Sequence, residues 1–221
     1  MIMRAARKSA MTQFLSIHPT HPQARLIAQA ADIVRGGGVI VYPTDSCYAL
    51  GCRIGDKDAA LRLRRIRQVD ETHHLTLVCR DLSEIGNFAK LDNAQYRMLK
   101  AATPGAYTFI LEATRELPRR LAHPKRRTIG LRIPDHVIAQ ALLAELGEPL
   151  LSSTLLLPGI DLPLNDADEI ADLLAKQVDL VIDGGACGLS PTTVIDMTGP
   201  VPGLIRAGLG SLAAVGLDET V

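Results

Sequence analysis

Short apolar runs ending in glycine or proline alternate with helix-period segments along this chain, and that alternation constrains its fold most. Residues 22–34 read as an opening helix with Leu26, Ile27, Ala30 and Ile33 on one face, stopped by Gly36-Gly37-Gly38. Val39-Ile40-Val41-Tyr42 reads as a strand halted by Pro43, and 48–52 as a second extended piece. Helix 57–67 follows, with Ala59, Leu63 and Ile66 along one side, then a strand at 75–79 and helices at 83–89 and 93–100. Strands are expected at 107–112 and 128–133, a helix at 137–146 ended by Gly147, an extended apolar piece at 150–157 and a helix at 167–174. Three short strands close the chain at 178–182, 193–197 and 204–206. Elements intermixed in this way predict a mixed sheet covered by helices, an α/β or α+β layered fold. No repeat, linker or low-complexity tract divides it. The expectation is one domain over residues 11–221 behind a short extension, 1–10, with Met11 a candidate start because the interpretable pattern begins there.

The 221 residues carry 24 basic and 24 acidic side chains, a formal net charge of zero. Alone, that figure argues against a nucleic-acid or phosphate binder. Divided after Arg132, the chain tells otherwise: 22 basic against 11 acidic residues before the division, 2 against 13 after it. Such asymmetry points either to an anionic ligand for the basic part or to two halves that attract each other in the fold. Arginine outnumbers lysine 18 to 6, and its fork matches phosphate and carboxylate oxygens in pairs. A hydrophobic fraction of 47% supplies a sizeable core and excludes intrinsic disorder.

Cys47, Cys52, Cys79 and Cys187 form no CxxC pair, so neither a zinc site nor a disulfide framework is expected. No apolar run approaches the ~18–20 residues that span a bilayer. Residues 1–10 lack the apolar centre of a signal peptide. A soluble cytoplasmic protein is the expectation.

Several chemistries are missing. There is no GxxxxGK[ST], no GxGxxG leading a strand into a helix, no HExxH and no GxSxG. His73-His74 would point apart on a strand, so a shared metal is not expected, and the pair reads as a loop feature without a role. Aromatic residues are only 3%, with no tryptophan, which leaves few stacking platforms for single-stranded RNA.

Four segments carry the chemistry that is present. Residues 42–48 place Thr44 and Ser46 hydroxyls between two strands, as ligand contacts or as local turn caps. Residues 62–67 hold four arginines, as a binding element or as a solvated helix face. Arg65 and Arg67 lie about 200° apart on a continuous helix and can share a ligand only if the helix ends there. Residues 115–132 gather Arg115, Arg119, Arg120, Lys125, Arg126, Arg127 and Arg132 against Glu116, an anion-binding cluster or an exposed basic loop. Ser190-Pro191-Thr192-Thr193, with Gly184-Gly185 before and Arg206 after, would let backbone amides approach an anion, or would simply connect strands. Together they point to a site for an anionic, phosphate-bearing ligand without a P-loop.

At these segments the sequence resembles the YrdC/Sua5 family, and most closely its YciO branch. Seven landmarks stand in family order: YPTDSCYALGC (42–52), RRIRQ (64–68), TPGAYTFIL (103–111), TIGLRIPDH (128–136), LSSTLLLPG (151–159), SPTTVIDMTG (190–199) and LIRAG (204–208). The resemblance implies a single-domain YrdC/RibB-like fold, a twisted mixed sheet flanked by helices with a concave basic face. It implies an activity that makes L-threonylcarbamoyladenylate and pyrophosphate from threonine, bicarbonate and ATP with Mg²⁺, for the threonylcarbamoyladenosine modification of tRNA. No protein side chain is expected to hold a metal.

By the same resemblance Thr44 and Tyr48 would hold threonine. Arg65, Arg67, Arg132, Thr154, Ser190, Thr192 and Arg206 would face the nucleotide, with Arg65, Arg67 and Thr154 catalytic. Two departures stand out: the family's K-x-R motif is Arg65-Ile66-Arg67, and its S-x-N motif is Thr154-Leu155-Leu156, which lacks the asparagine amide. The alternative is a non-catalytic protein that binds double-stranded RNA or tRNA through Arg119, Arg120, Lys125, Arg126 and Arg127. No membrane partner is expected, and the chain is expected to be a monomer or weak homodimer.

Overall fold

A computed structural model describes residues 11–217; the 1–10 extension lies outside them. In chain order the elements are β1 (Gln13–Ser16), α1 (Ala24–Arg35), β2 (Val39–Tyr42), β3 (Ala49–Arg53), α2 (Lys57–Arg67), β4 (Thr76–Val78), α3 (Leu82–Phe88), α4 (Asn93–Ala102), β5 (Tyr107–Glu112), β6 (Thr128–Arg132), α5 (Val137–Leu146), β7 (Leu150–Thr154), α6 (Ala167–Leu173), β8 (Leu180–Asp183), β9 (Thr193–Asp196) and β10 (Gly203–Arg206). All ten strands form one twisted mixed sheet in the order β1-β8-β2-β3-β7-β4-β6-β5-β9-β10. The expected mixed sheet flanked by helices is what the chain folds into.

Local chemistry sets the helix ends. The Asp56 carboxylate accepts from the Asp58 and Ala59 amides, both at 3.0 Å, which opens α2. Gln68 closes it in a left-handed conformation, φ 50°. Asp92 and Gln95 form a reciprocal capping box at the start of α4. Edge strand β1 escaped the sequence reading. Its residues are mostly exposed and show no apolar alternation, and it exists because β8 offers it a parallel register. The apolar run 150–157 yields a strand only to Thr154, its last residue paired with β3, pairing with β4 having ended at Ser152.

Strand alternation divides the core. Ile40 and Tyr42 enter a smaller core under α1 and α5, while Val39 and Val41 enter a larger one with Leu63 of α2, Ile85 of α3, Leu99 of α4 and Ile170 of α6. Each fully buried leucine or isoleucine contributes about 1.5–3 kcal/mol. Gly51 of β3 faces Tyr42, and a Cβ there would lie 2.8 Å from the tyrosine ring, so this close packing requires glycine.

That division positions the site. Leu77, Phe109, Leu131 and Ile195 point into the larger core. By register, Thr76 lies opposite Gly130, Gly130 opposite Ile110, and Thr108 opposite Val194, all on the other face of the sheet. There α1 and α5 pack over the far half, leaving this half open as the floor of a cleft. All four cysteines are free thiols. No helix among the described residues is long and apolar enough to cross a membrane.

Candidate active site

A cleft of about 720 Å³ opens over this bare half-sheet. Its floor includes Thr76, Thr108, Gly130 and Val194; its walls include Arg67, His73 and His74 on one side and Thr192 and Arg206 on another. A Cβ at Gly130 would sit 3.1 Å from the Thr76 hydroxyl and 3.2 Å from the Thr108 methyl, so glycine keeps the floor low.

Arg67 is the last residue of α2 and reaches the end of β7, where its Nε donates to Ser153 Oγ at 3.1 Å. Arg206 comes from β10, donating to the Thr192 carbonyl from Nε (3.2 Å) and Nη2 (2.9 Å) and to Thr192 Oγ1 at 3.3 Å. Thr192 Oγ1 in turn pairs with Thr108 Oγ1 at 2.9 Å. Partial desolvation in the cleft lowers the pKa of both arginines from their ordinary value, yet among the described residues neither has a carboxylate partner within salt-bridge distance. A cleft with two such cations favours an anionic ligand.

Four sequence expectations come together there: Arg67, Thr154, Thr192 and Arg206 line the cleft. The others lie elsewhere, for physical reasons. Helix α2 continues through Arg67, so Arg65 falls on the opposite side, exposed beside Leu61 and Gln68. Thr44 is buried, and its Oγ1 donates to the Cys47 carbonyl at 2.6 Å and accepts from the Ser46 and Cys47 amides at 3.2 and 3.3 Å. It is therefore the local turn cap. Tyr48 donates to the Gly185 carbonyl at 2.8 Å and pins the 184–188 connection to the 44–48 turn; burial raises its pKa. Arg132 is only 6% exposed and is ion-paired with Asp45. Ser190 is exposed, outside the lining between Leu189 and Pro191.

The expected RNA patch is exposed at Arg119, Arg120, Lys125, Arg126 and Arg127, all in the β5–β6 connection. Arg120 donates to the Gly55 carbonyl. The Lys125 and Arg126 amides donate to His123 Nδ1 at 3.3 and 3.2 Å, which shapes the turn. His123 stacks on His74, ring centroids 4.7 Å apart, and joins this loop to the cleft wall.

Sequence reasoning missed the histidines. His73 and His74 both line the cleft. His74 is held by its stack and by a 2.9 Å hydrogen bond to Thr128 Oγ1. Leu162 and Ile205, each 59% exposed, and Leu189, 42% exposed, give the rim an apolar character that was also missed. They come from three separate loop and edge segments, which no periodic pattern connects. Leu156 lines the same cleft. Among the described residues no three His, Cys, Asp or Glu side chains converge as a metal cage.

Known proteins share this architecture. A model of the Sua5/YciO/YrdC family, described as "Telomere recombination", matches residues 32–208. The protein YciO of Escherichia coli (strain K12) is 57% identical over 202 residues, covering 91% of this chain and 98% of the relative. Its crystal structure superposes with a TM-score of 0.90 over 93% of this chain and 100% of that one. A threonylcarbamoyl-AMP synthase of Chromobacterium violaceum is 37% identical over 137 residues, 62% of this chain and 70% of that protein. The structure of P. abyssi Sua5 complexed with L-threonine has a TM-score of 0.81 at 25% identity, covering 89% of this chain and 58% of that one. Fold, landmark segments and these matches agree that the chain belongs to the Sua5/YciO/YrdC family.

Proposed function

We propose that this protein makes L-threonylcarbamoyladenylate and pyrophosphate from L-threonine, bicarbonate and ATP, in service of the threonylcarbamoyl modification of tRNA. The observation that carries the reading is the pair Arg67 and Arg206, contributed by opposite halves of the chain to one hydroxyl-rich cleft. The synthase name of a relative 37% identical supports it.

On this reading Arg67 and Arg206 hold the nucleotide phosphates, charge-assisted contacts about twice as strong as neutral ones. The Thr154 hydroxyl orients the reacting groups. The amino group of threonine is carboxylated, and the carbamate oxygen attacks the α-phosphorus, with pyrophosphate leaving in line. Positioning and charge neutralisation supply most of the acceleration. Mg²⁺ bound with ATP would supply charge neutralisation at the phosphates, and the Asp161 carboxylate on the cleft wall is the protein oxygen that would help hold it. Arg132 acts behind the cleft by holding Asp45 and the β2–β3 turn. Arg65 has no part in it.

Purified protein given threonine, bicarbonate and Mg-ATP should release pyrophosphate only when all three are present. Release that ignores threonine, or no release, overturns the reading.

A second reading is favoured by one observation: Arg119, Lys125, Arg126 and Arg127 are exposed, and among the described residues no carboxylate pairs with them. We propose that this loop contacts RNA phosphates, in which case affinity for tRNA or duplex RNA falls steeply with salt. Binding that ignores salt overturns it.

A further inference from the structure

The connection from α2 to β4 is fixed by several side-chain hydrogen bonds, and one ring on it has no hydrogen-bond partner among the described residues. Gln68 turns the chain in a left-handed conformation, and the Asp70 carboxylate accepts from the Thr72 amide (2.8 Å), the Thr72 hydroxyl (2.6 Å) and the His73 amide (3.2 Å). Arg64 donates to the carbonyl oxygens of Asp70 and, at 3.1 Å, of His73. The backbone of His73 is thus held at both its amide and its carbonyl, while its imidazole lines the cleft without a hydrogen-bond partner among the described residues. The neighbouring ring differs: His74 is stacked on His123 and bonded to Thr128.

We propose that His73 is the general base that takes the proton from the amino acid's ammonium group, an inference that rests on the synthase reading above. Carboxylation needs a free amine lone pair, and the other titratable groups on the cleft wall are arginines, aspartates and the engaged His74. In the step, one ammonium N–H bond breaks, its electron pair stays on nitrogen and the proton passes to the imidazole. That proton then converts bicarbonate to carbon dioxide and water, which regenerates the neutral ring. The amine pair forms the N–C bond to carbon dioxide, one C=O π pair moves to oxygen to give the carbamate, and the second ammonium proton leaves to solvent.

The surroundings suit the role. Partial desolvation in the cleft lowers the pKa of His73, and the cations Arg67 and Arg64 of α2 and Arg206 of β10 lower it further; Asp70, on the same loop, opposes them. The adjacent His74 lies within electrostatic range. The ring is therefore neutral, in its base form, near neutral pH. Arg67 and Arg206 are also the groups read as phosphate ligands. Bound phosphates would offset their charge and raise the proton affinity of His73, so that the base strengthens when the nucleotide is in place.

Two measurements test this. Pyrophosphate release is followed against pH for the wild-type chain and for His73→Gln, with Mg-ATP affinity measured in parallel. The variant should lose about 10²-fold or more in rate and lose the acid limb of the profile, while Mg-ATP binding persists. By NMR, the His73 imidazole of the wild-type chain should titrate at higher pH once Mg-ATP is added, a readout that needs no turnover. Release by His73→Gln at the wild-type rate with the same acid limb overturns this inference alone, as does a His73 titration that ignores Mg-ATP. A wild-type chain without threonine-dependent release overturns the synthase reading and this inference together.

Discussion

Arg206 grips the carbonyl oxygen of Thr192 through two nitrogens, Nε at 3.2 Å and Nη2 at 2.9 Å, and this grip holds a cation at the cleft. Its half of the chain has only one other basic residue, Lys176. The zero net charge of the whole molecule conceals this arrangement. The cleft draws Arg67 from the basic half and Arg206 from the acidic half, and among the described residues neither cation is neutralised by a salt bridge.

Arg206→Ala should therefore weaken Mg-ATP binding by about tenfold or more, since a hydrogen bond to a charged group contributes about 1.5–3 kcal/mol. Isothermal titration calorimetry at low and high salt checks this, and the deficit should shrink as salt rises. The fold should be little affected, because Arg206 sits on the edge strand β10.

Leu156 supplies no hydrogen bond to the cleft it lines, at the position where the family resemblance expects an asparagine amide. Leu156→Asn should raise threonine-dependent pyrophosphate release by about tenfold or more, within the 10²–10³ that a single preorganised donor can command. An unchanged rate would show that the asparagine is dispensable here.

Much of this was legible in the residues. Val39 to Tyr42, closed by Pro43, forms the strand its pattern predicts, and helix 57–67 is found with those bounds. Arg206 needed only its isolation in an acidic half to stand out. Arg65 and Arg67 required more, because their separation depends on whether α2 reaches residue 67, a boundary set by the left-handed Gln68. Thr44 and Tyr48 make local hydrogen bonds in the fold, and a hydroxyl that caps a turn and one that binds a ligand have the same sequence signature. His73 was invisible for the opposite reason. The role proposed for it depends on long-range geometry that brings Arg206 of β10 to the same cleft as the α2–β4 loop, and no local spacing records that.

Asp45 and Arg132 form an ion pair with side chains 13% and 8% exposed, and Arg132 Nε is buried without a partner among the described residues. Removing one member of such a pair strands the other charge. Asp45→Asn should cost about 3 kcal/mol or more, read as a lower urea midpoint at unchanged slope. The cleft cations are not part of the pair, so any loss of Mg-ATP affinity should be no larger than the loss of stability explains.

Charge reversal at Arg126 and Arg127 should weaken tRNA binding with little sequence preference. The slope of log affinity against log salt should become shallower by about one for each phosphate that is no longer neutralised. Filter binding across a salt series reads this. Pyrophosphate release should be affected less than RNA binding, because neither side chain lines the cleft.

Tyr42 offers a pH test of the core. Its ring is fully buried, its hydroxyl lies 2.8 Å from Ser152 Oγ, and that Oγ donates to the Leu50 carbonyl at 2.8 Å, so Tyr42 is the donor of the first bond. Burial pushes the phenol from 10.0 up to about 12, with the Arg132 charge pulling the other way. A raised folded-state pKa means that between those values the folded protein holds a proton the unfolded chain has released. The stabilisation is complete below pH 10 and is lost as pH rises toward 12, a total of about 3 kcal/mol with about half gone by pH 11. Tyr42→Phe cannot ionise. It should be about 1 kcal/mol less stable near pH 8, where only the Ser152 bond is missing, and should close that gap by pH 11. Tyr48, Cys52 and Cys187 are also held above their ordinary pKa values by burial, so the variant's curve should still decline with alkali, less steeply than the wild type's. Urea midpoints at pH 8 and pH 11 give both slopes, and parallel slopes would show that Tyr42 ionises as an ordinary phenol.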